Sequence, residues 1–167
     1  MNKGRIQVLV VGGKFKKFVN KVKHTTGQLL KFSAKPNASL VIYLIDSRTW
    51  INANFFLKTS NSISKNKPLK DFLNEKLVKK PYRRFNVLAF PAAKDFPYPD
   101  NPGEFLGELY LDPDYINSQG QNLQFMVIHG FLHLFGYDHR TRNDTIKMRK
   151  REQYLIKKLA IDSTASF

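Results

Sequence analysis

Apolar and polar positions along the first 45 residues follow two different periods. Arg5 to Val11 and Leu40 to Ile45 are short apolar, β-branched runs of the kind that form buried strands. Between them, Lys14 to Phe32 places apolar residues at helical spacing, with Gly27 as a position that weakens or breaks the helix. The pattern therefore predicts strand, helix and strand in that order.

The same two periods recur in the second half of the chain. Phe85 to Phe90 and Leu106 to Leu111 are predicted strands, and Asn122 to Phe135 is a strongly apolar predicted helix. Thr141 to about Ala160 is predicted to be a helix, because one stripe of it is apolar. The segment is also basic. That stripe consists of Met148, Leu155 and Leu159. Strands mixed with helices in this way indicate an α+β fold with a small mixed sheet.

The central part of the chain is less regular. Asp46 or Ser47 can cap a short helix from Arg48 to about Leu57. Residues 58 to 84 are polar and Lys-rich and are interpreted as an insertion at the edge of the domain, and residues 91 to 103 hold four prolines and are interpreted as a loop. With 167 residues, the whole chain is expected to form one domain.

The net charge and the absence of cysteine limit the partners and the kinds of metal site that the chain can have. The formal net charge of +15 attracts phosphate backbones, although a Lys- and Asn-rich genome would produce the same composition. The chain has no cysteine, so disulfides and thiolate ligands are excluded and a metal site must use His, Asp or Glu. The apolar run from Ile6 to Val11 is too short for a signal sequence or a membrane span, and a cytoplasmic location is expected.

Three of the four histidines fall within eleven residues, at His129, His133 and His139. Two histidines four apart on a helix share one face, and Gly136 allows the chain to reverse and return the third to the same point. Nitrogen ligands at this spacing are typical of zinc, and three ligands leave the fourth position open, as catalytic sites do. The spacing predicts one zinc ion per chain. Asp138 is expected either to orient a histidine through its ring N–H or to cap the turn.

The segment His129-Gly-Phe-Leu-His-Leu-Phe-Gly-Tyr-Asp-His139 resembles the YbeY family of endoribonucleases, the ribosomal RNA maturation factors, whose pattern is H-G-x-L-H-L-x-G-Y-D-H. Asn86 to Pro91 and Leu106 to Leu109 are similar to two strands of that family, and Met148 and Glu152 fit its last helix. The resemblance covers about residues 38 to 160.

This resemblance implies a zincin-like fold, a zinc ion on the three histidines and cleavage of single-stranded RNA. It further implies work on the 3′ end of small-subunit ribosomal RNA and in ribosome quality control. One position departs from the family pattern, because Phe56 stands where an arginine is expected. Lys58 is a candidate to stabilise charge during catalysis, Asp138 is a candidate base, and Arg83, Arg84 and Arg140 are candidate RNA contacts.

Two alternatives remain open at the level of sequence. A ribosome-associated RNA-binding factor with a structural or vestigial zinc ion would also be basic, and Phe56 favours it. A metallopeptidase would share the histidine spacing, but in the elongated zinc-protease signature the first His is followed by a Glu that acts as general base. In this chain that residue is Gly130, which cannot take a proton.

Overall fold

A computed structural model describes residues 5–11, 14–47, 84–93 and 104–161. No helix in these ranges is both long and apolar enough to cross a membrane. Several predicted features lie outside the described residues: the helix from Arg48 to Leu57, the insertion apart from its last residue, Phe56, Lys58 and Arg83.

Four strands form one mixed sheet in the order β1-β2-β4-β3. Their bounds are Ile6–Val10 for β1, Ser39–Leu44 for β2, Val87–Pro91 for β3 and Phe105–Leu111 for β4. β1, β2 and β4 are parallel, whereas β3 runs antiparallel to β4. Pro91, expected to follow β3, is its last residue, which is tolerated because β3 lies at the edge of the described sheet. All four predicted strands are confirmed to within two residues.

Four α-helices accompany the sheet: α1 (Val19–Phe32), α2 (Pro113–Ser118), α3 (Leu123–Leu134) and α4 (Arg142–Leu159). A 3-10 turn at Lys16–Phe18 precedes α1, so the α-helix begins five residues later than predicted. The expectation that Gly27 could break α1 is wrong, because the helix continues through it and packs there against Ile6. The short helix α2 was not predicted.

The sheet has two differently filled faces. On one face α1 and α3 pack over alternate strand residues, such as Ile42 and Leu109, to form the main core. On the other face the rings of Tyr43 and Tyr110 stack with their centroids 4.4 Å apart. The Tyr110 hydroxyl donates a hydrogen bond to Glu108 at 2.7 Å. α3 also contacts α4, so it lies between the sheet and the basic C-terminal helix.

Asp112 joins the ends of two neighbouring strands. It follows β4, its side chain is fully buried, and it accepts hydrogen bonds from the backbone N–H of Ser47 at 2.8 Å and of Tyr115 at 3.0 Å. The Arg84 guanidinium lies 3.3 Å from the same carboxylate. Burial alone would raise the pKa of Asp112, but the hydrogen bonds from Ser47, Tyr115 and Arg84 outweigh it and hold the pKa below its ordinary value.

Replacing Asp112 with asparagine is expected to lower the free energy of unfolding by about 2–3 kcal/mol at pH 7, because charge-assisted hydrogen bonds are lost inside the protein. A carboxyl whose folded pKa is depressed stabilises the fold above its unfolded pKa of about 3.9 and loses that contribution as the pH falls through the folded value. Urea titrations at pH 7 and near pH 3 should therefore show a smaller difference between wild type and Asp112→Asn at the lower pH. An equal difference at both would contradict this role.

Candidate metal centre

Helix α3 presents two of the three histidines from its middle and its last turn. It is capped by Asn122, whose side chain accepts from the backbone N–H of Gln124 at 2.8 Å. Most of the helix is buried, which fixes its rotation against the sheet. His129 and His133 are partly exposed and their ring centroids lie 4.8 Å apart, as expected for positions i and i+4.

The turn after α3 supplies the third histidine. Gly136 has a φ of +81°, and the backbone N–H groups of Gly136 and Tyr137 donate to the carbonyls of His133 and Leu132. This pair of bonds is the Schellman arrangement that ends a helix and reverses the chain. The glycine is needed for its backbone conformation, since nothing would lie within 4 Å of a Cβ there. The reversal brings exposed His139 back so that the candidate ligand atoms of all three histidines lie within 4.8 Å of one another.

Hydrogen bonds fix the tautomers of the two helical histidines. Nδ1 of His133 lies 2.9 Å from the carbonyl oxygen of Tyr137, and Nδ1 of His129 lies 2.7 Å from a carboxylate oxygen of Glu152. Both partners accept, so both Nδ1 atoms donate. In the neutral rings each Nε2 atom then carries a lone pair and no proton.

Those two Nε2 atoms are 3.2 Å apart. Two lone pairs at that distance repel unless a cation lies between them. Nitrogens bound at about 2.0–2.1 Å to one tetrahedral ion would stand about 3.3 Å apart. The donor set and its spacing therefore fit a metal ion held by Nε2 of His129 and His133, with His139 as the third ligand.

The electrostatics favour the ligand form of His133. Burial lowers the pKa of its ring, and the neighbouring His129 and His139 lower it further. His133 is therefore neutral at pH 7, which keeps the Nε2 lone pair available to a metal.

The hydrogen bonds of Asp138 are to the turn. One oxygen accepts from the backbone N–H of His139 at 2.8 Å, and the other pairs with Nε of Arg140 at 2.6 Å. The N–H of His139 lowers the pKa of Asp138, so the group is ionised at neutral pH. Of the two expected structural roles, capping the turn is the one that these contacts match. A role as catalytic base stays a prediction.

The candidate RNA contacts Arg84 and Arg140 differ in how exposed they are and in how other residues engage their charges. The Arg84 guanidinium stacks over the ring of Tyr115, with its central carbon 4.7 Å from the ring centroid, and donates a hydrogen bond to Asp112. Its charge therefore stabilises the fold. Arg140 is 86% exposed and belongs to the loop that carries His139. RNA binding by Arg84 and Arg140 stays a prediction.

The close packing of α3 against the sheet explains the glycine at position 130. It is buried where α3 crosses the sheet, and a Cβ built there would lie 2.8 Å from Val87 and 3.0 Å from Leu109. The position that holds glutamate in the zinc proteases is thus occupied by close helix–sheet packing, and a longer side chain would force α3 off β3 and β4.

Two groups that position the ligands were not identified from the sequence. The carbonyl of Tyr137 has no sequence signal beyond the turn that contains it. Glu152 had one, because it lies between Met148 and Leu155 on the inward stripe of α4, where a carboxylate is unexpected. Its side chain is 4% exposed and reaches across to His129.

Comparison with known proteins adds the family. The family model described as endoribonuclease YbeY matches residues 9–160. An endoribonuclease YbeY from Bartonella bacilliformis is 37% identical over 86 residues, covering 46% of this chain and 52% of that protein. One from Rhodopseudomonas palustris is 32% identical over 84 residues, covering 46% and 44%.

The aligned part of the chain thus spans about half the length of these curated relatives. A solution structure from Thermotoga maritima has a TM-score of 0.48 and 18% identity, over 98% of this chain and 99% of that one. The family model covers the last two residues of β1, the other three strands, the three histidines and all of α4. The chain belongs to the endoribonuclease YbeY family.

Proposed function

We propose that this protein is a zinc-dependent endoribonuclease that cleaves single-stranded RNA. The observation that carries the proposal is the pair of Nε2 atoms 3.2 Å apart, with a third histidine beside them, in a chain of this family. Three nitrogen ligands and no cysteine suit zinc, and three ligands leave a position for catalysis. When bound, the ion supplies Lewis-acid polarisation of a phosphoryl oxygen and lowers the pKa of water.

The protein's own residues have distinct tasks in this proposal. His129 and His133 hold the ion through Nε2, while Glu152 and the Tyr137 carbonyl keep both rings in the required tautomer. Asp138 keeps the turn closed, so that His139 stays beside the other two. The net charge of +15 draws an RNA backbone towards the protein.

The substrate we propose is ribosomal RNA in the cytoplasm, near the 3′ end of the small-subunit RNA or on the small subunit itself. Support comes from the family and from the charge, both of which favour an RNA partner. Lys58 and Arg83 are proposed to help as cations near the scissile phosphate and along the RNA.

Cleavage of a labelled ribosomal RNA precursor fragment tests the proposal. Zinc-loaded protein is expected to cut the single-stranded fragment, and prior treatment with a chelator should abolish cutting until zinc is restored, because the three histidines then hold no ion. The same fragment annealed to its complement should resist. Cleavage that continues unchanged in chelator would exclude the metal-dependent nuclease and point to a contaminating enzyme.

A non-catalytic ribosome-associated RNA-binding factor is the second candidate, and the observation favouring it is Phe56 in place of the family arginine. It predicts RNA that is bound but never cut, with or without zinc. A metallopeptidase is disfavoured, because position 130 has neither a carboxylate nor room for one. Chelator-sensitive digestion of casein would revive it.

A further inference from the structure

Helix α4 carries a cationic stripe that runs along the helix beside its buried face. Its members follow one another at helical spacing and lie on one face, with a tyrosine in their midst. They are Lys147, Arg151, Tyr154 and Lys158. Between the two lysines the only acidic residue is Glu152, whose carboxylate is buried against His129. No other carboxylate belongs to this length of the helix, and Asp138 and Asp144 line the hollow at its Lys147 end.

Tyr154 is unusually open for an aromatic residue. Tyr154 is 44% exposed and does not belong to the hydrophobic core of the described residues. The Arg151 guanidinium lies 5.0 Å from the ring centroid and the Lys158 ammonium lies 5.8 Å from it. An exposed ring flanked by two cations combines a surface for stacking a base with charges for the phosphates on either side.

The two ends of the stripe meet other features of the molecule. Lys147 lines a hollow with Tyr137 and Asp138, in the loop that leads to His139. At the far end Lys158 lines a small pocket with Phe32, a second exposed aromatic side chain at 38%. The stripe thus leads from the hollow beside the turn that precedes His139 to the small pocket beside Phe32.

Two lysines elsewhere in the described residues are held in ion pairs with carboxylates. Lys14 pairs with Asp46 and Asp114, and Lys35 pairs with Glu104. Among the described residues, no ion pair involves the cations of the α4 stripe, so their charge is available to a ligand.

We infer that the α4 stripe binds single-stranded RNA and guides the strand to the metal centre, with Tyr154 stacking on one base. This inference rests on the proposed function for the identity of the ligand. The stripe spans twelve helical residues, from Lys147 to Lys158, and the eleven steps between them cover about 16 Å. At the 3.4 Å spacing of a stacked strand, that length matches about five nucleotides.

Binding of a twelve-nucleotide fluorescein-labelled oligouridylate, followed by anisotropy with the chelator-treated full chain, in which the proposed nuclease is inactive, tests the stripe. A gel of each sample confirms that the RNA is intact. Tyr154→Ala is expected to weaken binding about 5- to 150-fold, the range for one lost base stack, while Tyr154→Phe restores it. Neither change should alter the dependence of the dissociation constant on salt.

The charged members have their own matched control. Arg151→Gln with Lys158→Gln should reduce the slope of log affinity against log salt by about 1.4, or 0.7 for each phosphate contact. Lys16→Gln with Lys21→Gln removes two exposed charges from the 3-10 turn before α1 and from α1, and should change the slope much less. An unchanged affinity for Tyr154→Ala, or equal effects of the two double variants, would overturn the stripe. Because binding is measured without cleavage, the stripe can fail while the nuclease stands, and the reverse.

Discussion

Replacing His133 with alanine is expected to empty the metal centre and to lower RNA cleavage on the order of 10³-fold or more. His133 supplies one of the two Nε2 atoms that lie 3.2 Å apart, and no other described His, Cys, Asp or Glu joins the group to replace it. A metal ion contributes several kcal/mol to stabilising the transition state, and each 1.4 kcal/mol corresponds to a factor of ten in rate. Metal content by mass spectrometry and cleavage by gel are the two measurements.

His24→Ala is the matched control for metal content. His24 is the one remaining histidine of the chain, is exposed on α1 and does not belong to the three-histidine group. Wild type and His24→Ala should each contain about one zinc per chain, and His133→Ala close to none. Full metal content in His133→Ala, with the fold intact by circular dichroism, would refute the site. Equal cleavage by wild type and His133→Ala would show that another enzyme cuts the RNA.

The cluster of three histidines could be predicted from the sequence because its geometry is almost entirely local. Two of them are fixed by the pitch of one helix, and the third depends on a turn that a single glycine specifies. The strands were predictable for the same reason, since each is a short apolar run. Their order in the sheet was not, because β4 inserts between β2 and β3 and such pairing depends on contacts distant in sequence.

Residues whose roles arise from tertiary contacts were harder to assign. The contact of the Arg84 guanidinium with Asp112, which lies 28 residues away, was not predicted, and RNA binding by Arg84 stays a prediction. The helix α2 escaped prediction although Asp112 and Pro113 form a recognisable helix start, since only six residues follow. Glu152 matched a family position without a role, because only the packing of α4 on α3 brings it to His129.

Glycine at position 130 links the fold to the chemistry. The zinc proteases use the residue after the first histidine as a base, whereas here α3 lies so close to β3 and β4 that Val87 and Leu109 would clash with any side chain. At position 130 the helix therefore meets the sheet through its backbone, whereas its other buried residues pack through their side chains. Whatever removes the proton from water must come from another part of the molecule or from the substrate, and Asp138 is the candidate beside the site.

Replacing Glu152 with glutamine is expected to weaken zinc binding about 10- to 100-fold, the usual cost of losing a group that orients a ligand. The carboxylate accepts the Nδ1 proton of His129 at 2.7 Å from a nearly buried position. Its charge makes the opposite nitrogen more basic and holds it towards the ion. A glutamine oxygen can still accept that proton, but it carries no charge, so the ring should keep its place and lose affinity for metal.

Competition with a zinc chelator of known affinity gives the dissociation constant, and thermal unfolding of the metal-free protein gives a separate readout. Glu104→Gln is the matched control, because Glu104 is exposed and pairs with Lys35 rather than with a histidine. A purely structural role for Glu152 would lower the melting temperature of metal-free Glu152→Gln and leave its zinc affinity at the wild-type value. A positioning role predicts a weaker zinc affinity for Glu152→Gln whatever the melting temperature of the metal-free variant, because His129 loses the negative partner that favours a bound cation.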